Sequence, residues 1–263
     1  MAIGRAALDI ADPVAVEQFM LRERPQLIIN AAAFTNVDEA EHDRRADLVN
    51  RLGPAHLADA ALRAGALLVQ VSTDYVFDGR ADEPYAVDAV ARPISAYGRT
   101  KLAGEEAVRA SGCDSLIVRT SWLFAPWGRN FVLNMLTAAR QGKPLRVVDD
   151  QFGRPTYAPD LARMIFALVD LDARGIFHLA NEGVCSWFEF AGAIFDLADE
   201  HVLLDACTTT AFPRPAARPR YSVLDLSLSA ALIGQARHWS EALSECLAAL
   251  RADEGLSSGR MNA

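Results

Sequence analysis

The sequence predicts an α/β protein with a doubly wound parallel sheet, followed by a smaller α/β lobe. Short runs of apolar, often β-branched residues recur along the first part of the chain, and helix-like segments separate them. The hydrophobicity of these runs is continuous rather than alternating, which indicates strands covered on both faces. After about residue 150 the regular alternation changes. Strands separated by helices long enough to cross over a sheet are typical of the doubly wound class.

Four apolar runs are the predicted strands, at residues 27–29, 67–71, 116–118 and 146–148. The predicted helices of this part are residues 13–23, 46–64, 97–110 and 130–141. Asp12 is the expected N-cap of the first helix, because it precedes Pro13 and proline suits the first helical position.

The later part of the chain predicts a helix near 159–170, a strand at 176–179, a helix near 186–199 and a final helix at 240–251. A proline-rich stretch, 212–219, lies between the last two helices. We expect a sheet domain over residues 1–150 with parts of the later chain, a lobe mainly over 151–250, and a tail over 251–263 that frays from residue 255. Ligands of open α/β sheets bind at the carboxyl ends of the strands, so the lobe is expected to pack there.

Composition excludes several classes of partner. The net charge is -8, the pI is about 5.2, and no basic run could follow a phosphate backbone or coat a membrane surface. The four cysteines show no metal-site or redox spacing and are expected to be reduced. No signal peptide or membrane-spanning stretch is evident, so we expect a cytoplasmic protein without nucleic acid or membrane partners.

The most specific pattern is a serine-threonine pair at a strand end, Ser72-Thr73, followed by Tyr97 and Lys101 at the start of a helix. A spacing of four places Tyr97 and Lys101 on one helical face. An ammonium group near a phenol favours the phenolate, so the phenol can exchange a proton with a ketone oxygen while a nicotinamide delivers hydride. The Thr73 hydroxyl could hydrogen-bond the same oxygen.

The alternative is that Tyr97 and Lys101 are a surface pair on an amphipathic helix. The chain has only two lysines and five tyrosines, and chance would produce about 0.04 Tyr-x-x-x-Lys patterns in such a chain. We therefore favour the catalytic interpretation.

Five segments together resemble the dTDP-4-dehydrorhamnose reductase family, and the resemblance runs from about residue 3 to about residue 250. They are 30–38 (NAAAFTNVD), 71–79 (VSTDYVFDG), 97–101 (YGRTK), 119–124 (RTSWLF) and 149–156 (DDQFGRPT). The resemblance implies a Rossmann-like fold, NADPH or NADH as the cofactor, and reduction of the C4 ketone of dTDP-4-dehydro-L-rhamnose. Thr73, Tyr97 and Lys101 match the catalytic set of the family.

The resemblance also implies further contacts. The expected cofactor-binding residues are Asp9, Ile10, Asn30, Ala31, Ala32, Ala33, Tyr97 and Lys101, and the expected substrate-binding residues are Thr35, Val37, Thr73, Trp122 and Asn130. Three of these contacts have simpler interpretations: Asp9 as a turn residue, the alanines as packing residues and Trp122 as a core aromatic. Tyr221 stands where the family usually has asparagine, which places substrate contacts from residues 218–225 in doubt.

The glycine-rich turn that binds pyrophosphate in dinucleotide folds is not found in the sequence. Residues 2–5 resemble the second strand of the family, so residues 1–150 are expected to form an incomplete dinucleotide-binding domain without the first strand and the glycine loop. From this we expect weak binding of NADPH or NADH and little or no turnover. We expect a start codon assigned too far downstream, or a fragment, in preference to a naturally shortened protein.

Two other functions stay open: a related nucleotide-sugar reductase or epimerase with the same triad, and a non-catalytic regulatory subunit of the same fold. Members of the family can bind a divalent ion between subunits, so the resemblance allows a homodimer. No carboxylate cluster in the sequence identifies such an ion site, and we predict no metal.

Overall fold

The central feature of the fold is a four-stranded parallel sheet with the order β1-β2-β3-β8. This computed structural model describes the backbone of residues 1–142 and 144–260, and the side chains of residues 1–142 and 144–252. The helices are α1 (Pro13–Glu23), α2 (Arg45–Asp47), α3 (Gly53–Ala64), α4 (Ala96–Ser111), α5 (Phe131–Ala139), α6 (Ala158–Asp170), α7 (Trp187–Ala198), α8 (Ser227–Ile233) and α9 (Trp239–Arg260). The strands are β1 (Leu27–Asn30), β2 (Leu67–Thr73), β3 (Ser115–Thr120), β4 (Leu123–Phe124), β5 (Leu145–Val148), β6 (Phe152–Gly153), β7 (Thr156–Tyr157), β8 (Gly175–His178), β9 (Cys185–Ser186) and β10 (Leu204–Cys207).

The sheet is covered on both faces, which confirms the predicted α/β class. On one face Leu68 and Ile117 pack against α1, α3 and α4, and on the other Val69 and Leu116 pack against α6. Neighbouring residues of β2 and β3 therefore enter opposite cores, and this explains why their hydrophobicity is continuous. The parallel register also pairs Thr73 with Thr120, so the carboxyl ends of β2 and β3 lie side by side.

The predicted helices are largely confirmed. Asp12 caps α1, and its carboxylate accepts hydrogen bonds from the Val14 and Ala15 amides. The predicted helix over 46–64 is helical throughout but includes a π-helical segment, Leu48–Leu52, between α2 and α3.

Three expectations from the sequence differ from the structure. The run at 146–148 forms β5, but β5 pairs with β10 in a separate two-stranded sheet, while β8 from the later part of the chain completes the central sheet. Residues 1–4 have no regular structure and 5–7 form a turn, so no strand forms at 2–5. The backbone is helical as far as Arg260, beyond the expected end at 251, and residues 261–263 of the expected tail lie outside the described residues.

The lobe has its own core, which is rich in aromatic residues. Helices α5, α7 and α9 pack together with β5 around a cluster that includes Phe124, Phe190 and Trp239. The segment after β10, residues 208–226, returns from the lobe to the sheet. There the Tyr85 amide donates to the Val223 carbonyl oxygen. This segment connects the lobe with the turn that follows β2.

Helix α4 approaches the π-helical segment very closely, because Gly104 has no side chain. A Cβ atom at Gly104 would lie 2.2 Å from the Asn50 carbonyl oxygen. Asn50 in turn donates to Thr100 on α4 and to the Phe34 carbonyl oxygen. The close approach therefore fixes the loop after β1 relative to α4.

Gly104→Ala should destabilise the protein by about 1–3 kcal/mol, because the added methyl group forces the two helices apart. Gly192 on α7 is a matched control, since a Cβ there meets no atom within 4 Å. Gly192→Ala should raise the free energy of unfolding by up to about 1 kcal/mol, since alanine is the better helix former. Urea unfolding of both variants measures the difference, and equal stabilities would show that the close approach is unimportant.

Candidate active site

The candidate site lies where the carboxyl end of β2 meets the start of α4. Ser95 caps α4 by accepting a hydrogen bond from the Gly98 amide at 3.1 Å. A Cβ atom at Gly98 would lie 2.2 Å from the Tyr75 carbonyl oxygen, so glycine lets the first turn of α4 lie directly against the 3₁₀ turn Asp74–Val76. These contacts bring Tyr97 to the end of β2.

Tyr97 lies beside Thr73, and Lys101 follows Tyr97 one helical turn later on α4. Burial raises the pKa of Tyr97 to about 12, and a hydrogen bond with the Thr73 side chain opposes that rise. Tyr97 is therefore a neutral phenol that holds a proton beside the Thr73 hydroxyl.

The Lys101 ammonium has a different partner from the one expected. Lys101 Nζ donates to the Val71 carbonyl oxygen at 2.6 Å, and the influences on the pKa of Tyr97 are burial, Thr73 and Asp74. The expected lowering of the Tyr97 pKa toward neutrality is thus not seen. An ammonium group has three protons, and the Val71 carbonyl accepts one of them.

Asp74 is a buried carboxyl group that the sequence analysis missed as a functional residue. It accepts hydrogen bonds from the Thr73 hydroxyl at 3.0 Å and from the Ser222 hydroxyl at 2.5 Å. Burial raises the pKa of Asp74 to about 7, against the lowering effect of these hydrogen bonds. Because Ser222 belongs to the segment returning from the lobe, Asp74 links the lobe to Thr73.

The loop after β1 ends at the same edge of the sheet. The Asn30 amide donates to Gln70 at 2.7 Å, and its oxygen accepts from the Ala32 amide at 3.1 Å. Ala31 and Ala32 are exposed and Ala33 is partly buried, so the first two are not packing residues beneath a helix. Their small side chains leave the backbone open, as close approach of a cofactor requires.

Asp9 and Ile10 lie in a turn before α1. The Asp9 carboxylate accepts from the Ala11 amide and from Arg5, which agrees with the simpler interpretation of a turn residue. The Ile10 side chain is buried in the core, against Gly53. Any contact of Ile10 with a ligand would therefore come from its backbone.

Trp122 lies two residues beyond the end of β3 and packs against two neighbours. Its ring stacks on Trp187 with the centroids 3.5 Å apart and an interplanar angle of 7°. A Cβ atom at Gly153 would lie 2.5 Å from the same ring. The backbone of Trp122 is left-handed, with φ of 48°. Trp122 is partly exposed and packs at the margin of the lobe core.

Asn130 is the N-cap of α5. Its oxygen accepts from the Leu133 amide, and its amide donates to the Ala125 and Trp127 carbonyl oxygens. The Asn130 side chain therefore shapes the loop that follows Trp122.

Thr35 and Val37 lie on the loop after β1, and the loop is tied to the lobe through Asp38. Arg214, Arg218 and the Ala216 amide all donate to the Asp38 carboxylate. Burial would raise the pKa of Asp38, but these hydrogen bonds hold it well below its usual value. Thr35 is exposed and Val37 partly buried.

No metal centre accompanies this site in the described part of the chain. Among the described side chains, those of residues 1–142 and 144–252, no group of three or more His, Cys, Asp or Glu could hold an ion. Across the same residues no helix combines the length and the apolar character needed to span a membrane.

The chain is similar to sugar-nucleotide reductases. The family described as the RmlD substrate binding domain matches residues 1–252. A dTDP-4-dehydrorhamnose reductase of Streptomyces griseus is 43% identical, over 95% of this chain and 85% of that protein. A dTDP-4-keto-6-deoxy-D-glucose reductase of Streptomyces niveus is 42% identical, over 97% and 90%. The crystal structure of dTDP-4-dehydrorhamnose reductase from Bacillus anthracis in complex with NADP has a TM-score of 0.90 and 39% identity, covering 93% of this chain and 88% of that one.

Asp74 should make stability depend on pH. Its pKa is raised from 3.8 to about 7 in the folded protein, so between these values the folded state binds more protons and the contribution of Asp74 to stability falls as pH rises. The free energy of unfolding of Asp74→Asn, relative to the unsubstituted protein, should rise by roughly 3 kcal/mol from about pH 4 to about pH 7. Urea unfolding at several pH values measures this, with exposed Asp196→Asn as the control. Parallel curves for Asp74→Asn and the unsubstituted protein would contradict it.

Proposed function

The chain belongs to the RmlD substrate binding domain family, and from this premise we propose that it reduces a keto group of a nucleotide sugar with NADPH or NADH. The observation that carries the proposal is the meeting of Thr73, Tyr97 and Lys101 at the carboxyl end of β2. The substrate we propose is dTDP-4-dehydro-L-rhamnose, whose C4 ketone becomes the hydroxyl of dTDP-L-rhamnose.

The residues of the chain supply the proton for this reduction. A bound reduced nicotinamide supplies hydride to the carbonyl carbon. Tyr97, a neutral phenol, donates its proton to the carbonyl oxygen, and Thr73 positions that oxygen by hydrogen bonding. Lys101 remains bound to the Val71 carbonyl oxygen, and its other two protons would be available to a bound cofactor.

In this proposal the cofactor and the substrate occupy different parts of the site at the carboxyl ends of the strands. The four-stranded sheet is the proposed dinucleotide-binding part: Asn30 and the open backbone of Ala31 to Ala33 would hold the cofactor, and the turn at Asp9 and Ile10 would contact its adenosine. The lobe is the proposed substrate-binding part, where the partly exposed Trp122 would contact the sugar. Thr35, Val37 and the loop shaped by Asn130 complete the substrate pocket.

A second candidate is reduction of a related dTDP-keto sugar. The relative from Streptomyces niveus, named a dTDP-4-keto-6-deoxy-D-glucose reductase, is about as similar as the dTDP-4-dehydrorhamnose reductase from Streptomyces griseus. Tyr221 also departs from the asparagine usual in the family.

We further propose that the enzyme works in the cytoplasm, where thiols stay reduced. Its four cysteines are all free and buried: Cys113, Cys185, Cys207 and Cys246.

Tyr97→Phe should lower turnover by about 100-fold or more, because it removes the donated proton, while binding of dTDP-L-rhamnose is retained. Tyr157→Phe is a matched control, since Tyr157 is buried in the lobe beside Phe124. The measurement is oxidation of NADPH or NADH with each keto sugar, product identification, and calorimetric binding of dTDP-L-rhamnose.

Equal turnover of the two variants would contradict the role of Tyr97. Binding of both the nucleotide sugar and NADPH or NADH without turnover by the unsubstituted chain would instead favour the regulatory subunit. Failure to bind any dTDP sugar would overturn the proposal. The weak cofactor binding expected from the sequence stays a prediction, and titration with NADPH and NADH measures it directly.

A further inference from the structure

A fully buried ion pair lies directly behind the candidate active site. Glu105 on α4 is 1% exposed and Arg119 on β3 is 4% exposed. Both Glu105 oxygens accept from the Arg119 guanidinium, with the shortest N to O distance at 2.7 Å. Arg119 also donates to the Val87 carbonyl oxygen and lies over the Phe77 ring. Charged side chains are almost never buried so completely unless they are paired, and burial of a pair adds little stability by itself. The presence of this pair behind the site therefore suggests a role other than stability.

The position of Glu105 on α4 is informative. Tyr97, Lys101 and Glu105 follow one another at intervals of four residues, so they share one face of the helix. This face contacts three consecutive residues of β2. Tyr97 contacts the Thr73 side chain, Lys101 donates to the Val71 carbonyl oxygen, and Glu105 accepts from the Ser72 hydroxyl at 2.5 Å. Glu105 therefore holds the residue between those contacted by the two catalytic candidates.

Glu105 also acts on the charge of Lys101. Burial lowers the pKa of Lys101 to about 8, and the negative charge of Glu105 opposes that lowering. Glu105 lies one helical turn beyond Lys101 on the same face of α4, so its carboxylate is the neighbour that opposes the effect of burial. A lysine that lost this neighbour would release its proton more readily.

Other ionisable groups around this face of α4 act elsewhere. They are Glu41 and Arg99 at the exposed start of the helix, Asp74 and Tyr75 after β2, and His178 on β8. Asp74 acts on Tyr75 and Tyr97. Burial and Arg119 lower the pKa of His178 to about 4, so His178 is neutral at neutral pH. Glu105 is thus the carboxylate that acts on Lys101.

We propose that Glu105 is a positioning residue of this site, which keeps Lys101 protonated and, through Ser72, holds the end of β2 against α4. This role of Glu105 deepens the proposed reductase function. It rests on that function only where Lys101 is given a part in the reduction. A purely structural ion pair would hold α4 and β3 together but would leave the charge of Lys101 unchanged. The two roles therefore differ in one measurable quantity, the pKa of Lys101.

The chain allows this pKa to be measured directly, because Lys101 and Lys143 are its only lysines. A Lys143→Arg background leaves one lysine, and protein labelled with ¹³C at the lysine Cε then gives a single NMR signal whose shift follows the protonation of Lys101. In that background Glu105→Gln should lower the pKa of Lys101 by about one unit or more. Glu106→Gln is the matched control, since Glu106 is the exposed neighbour on the same helix, and it should leave the pKa unchanged.

Glu105→Gln leaves Arg119 buried without its partner, which can cost about 3–5 kcal/mol and prevent folding. The double variant Glu105→Gln/Arg119→Met removes both charges and provides a second test. It should also lower the pKa of Lys101, because the opposing negative charge is gone. An unchanged Lys101 pKa in the folded single or double variant overturns the inference. The titration needs neither cofactor nor substrate, so it is independent of whether the chain reduces a nucleotide sugar.

Discussion

The close packing of α4 against the carboxyl end of β2 is the contact on which the site depends. Gly98 and Gly104 allow the helix to touch backbone carbonyl oxygens of the Tyr75 turn and of the π-helical segment. With the helix at this distance, side chains one turn apart reach consecutive residues of the strand. A larger residue at either glycine would move the Tyr97 phenol away from the Thr73 hydroxyl. The position of these two groups therefore depends on glycine at 98 and 104.

A second set of contacts connects the lobe to this framework. Ser222 reaches Asp74, and Arg214 and Arg218 reach Asp38 on the loop after β1. The returning segment thus contacts both the turn after β2 and the loop after β1. A Cβ atom at Gly79 would lie 2.4 Å from Pro219, so the same segment also lies tightly on the turn after β2. Movement of the lobe relative to the sheet would have to break these contacts together.

Local patterns were sufficient for most of the elements but not for their partners. The predicted helices and strands follow from hydrophobic spacing and, for α1, from the Asp12 cap. The run at 146–148 looked like one more central strand, because nothing in its own residues shows that it pairs with Leu204–Cys207. Asp74, Glu105 and Arg119 were missed for a related reason: a charged residue looks solvent-exposed until its distant partner is known. The partner of Asp74, Ser222, lies 148 residues away.

The stacked pair of Trp122 and Trp187 gives the molecule an intrinsic optical reporter. Two parallel indole rings 3.5 Å apart couple their electronic transitions, and one of them lies at the proposed sugar pocket on a left-handed backbone held beside Gly153. A ligand that slides or tilts the Trp122 ring changes this coupling, and the change is visible in near-ultraviolet circular dichroism and in tryptophan fluorescence. Ligand binding at the proposed sugar pocket can thus be followed in the unlabelled protein, even for ligands that undergo no reaction.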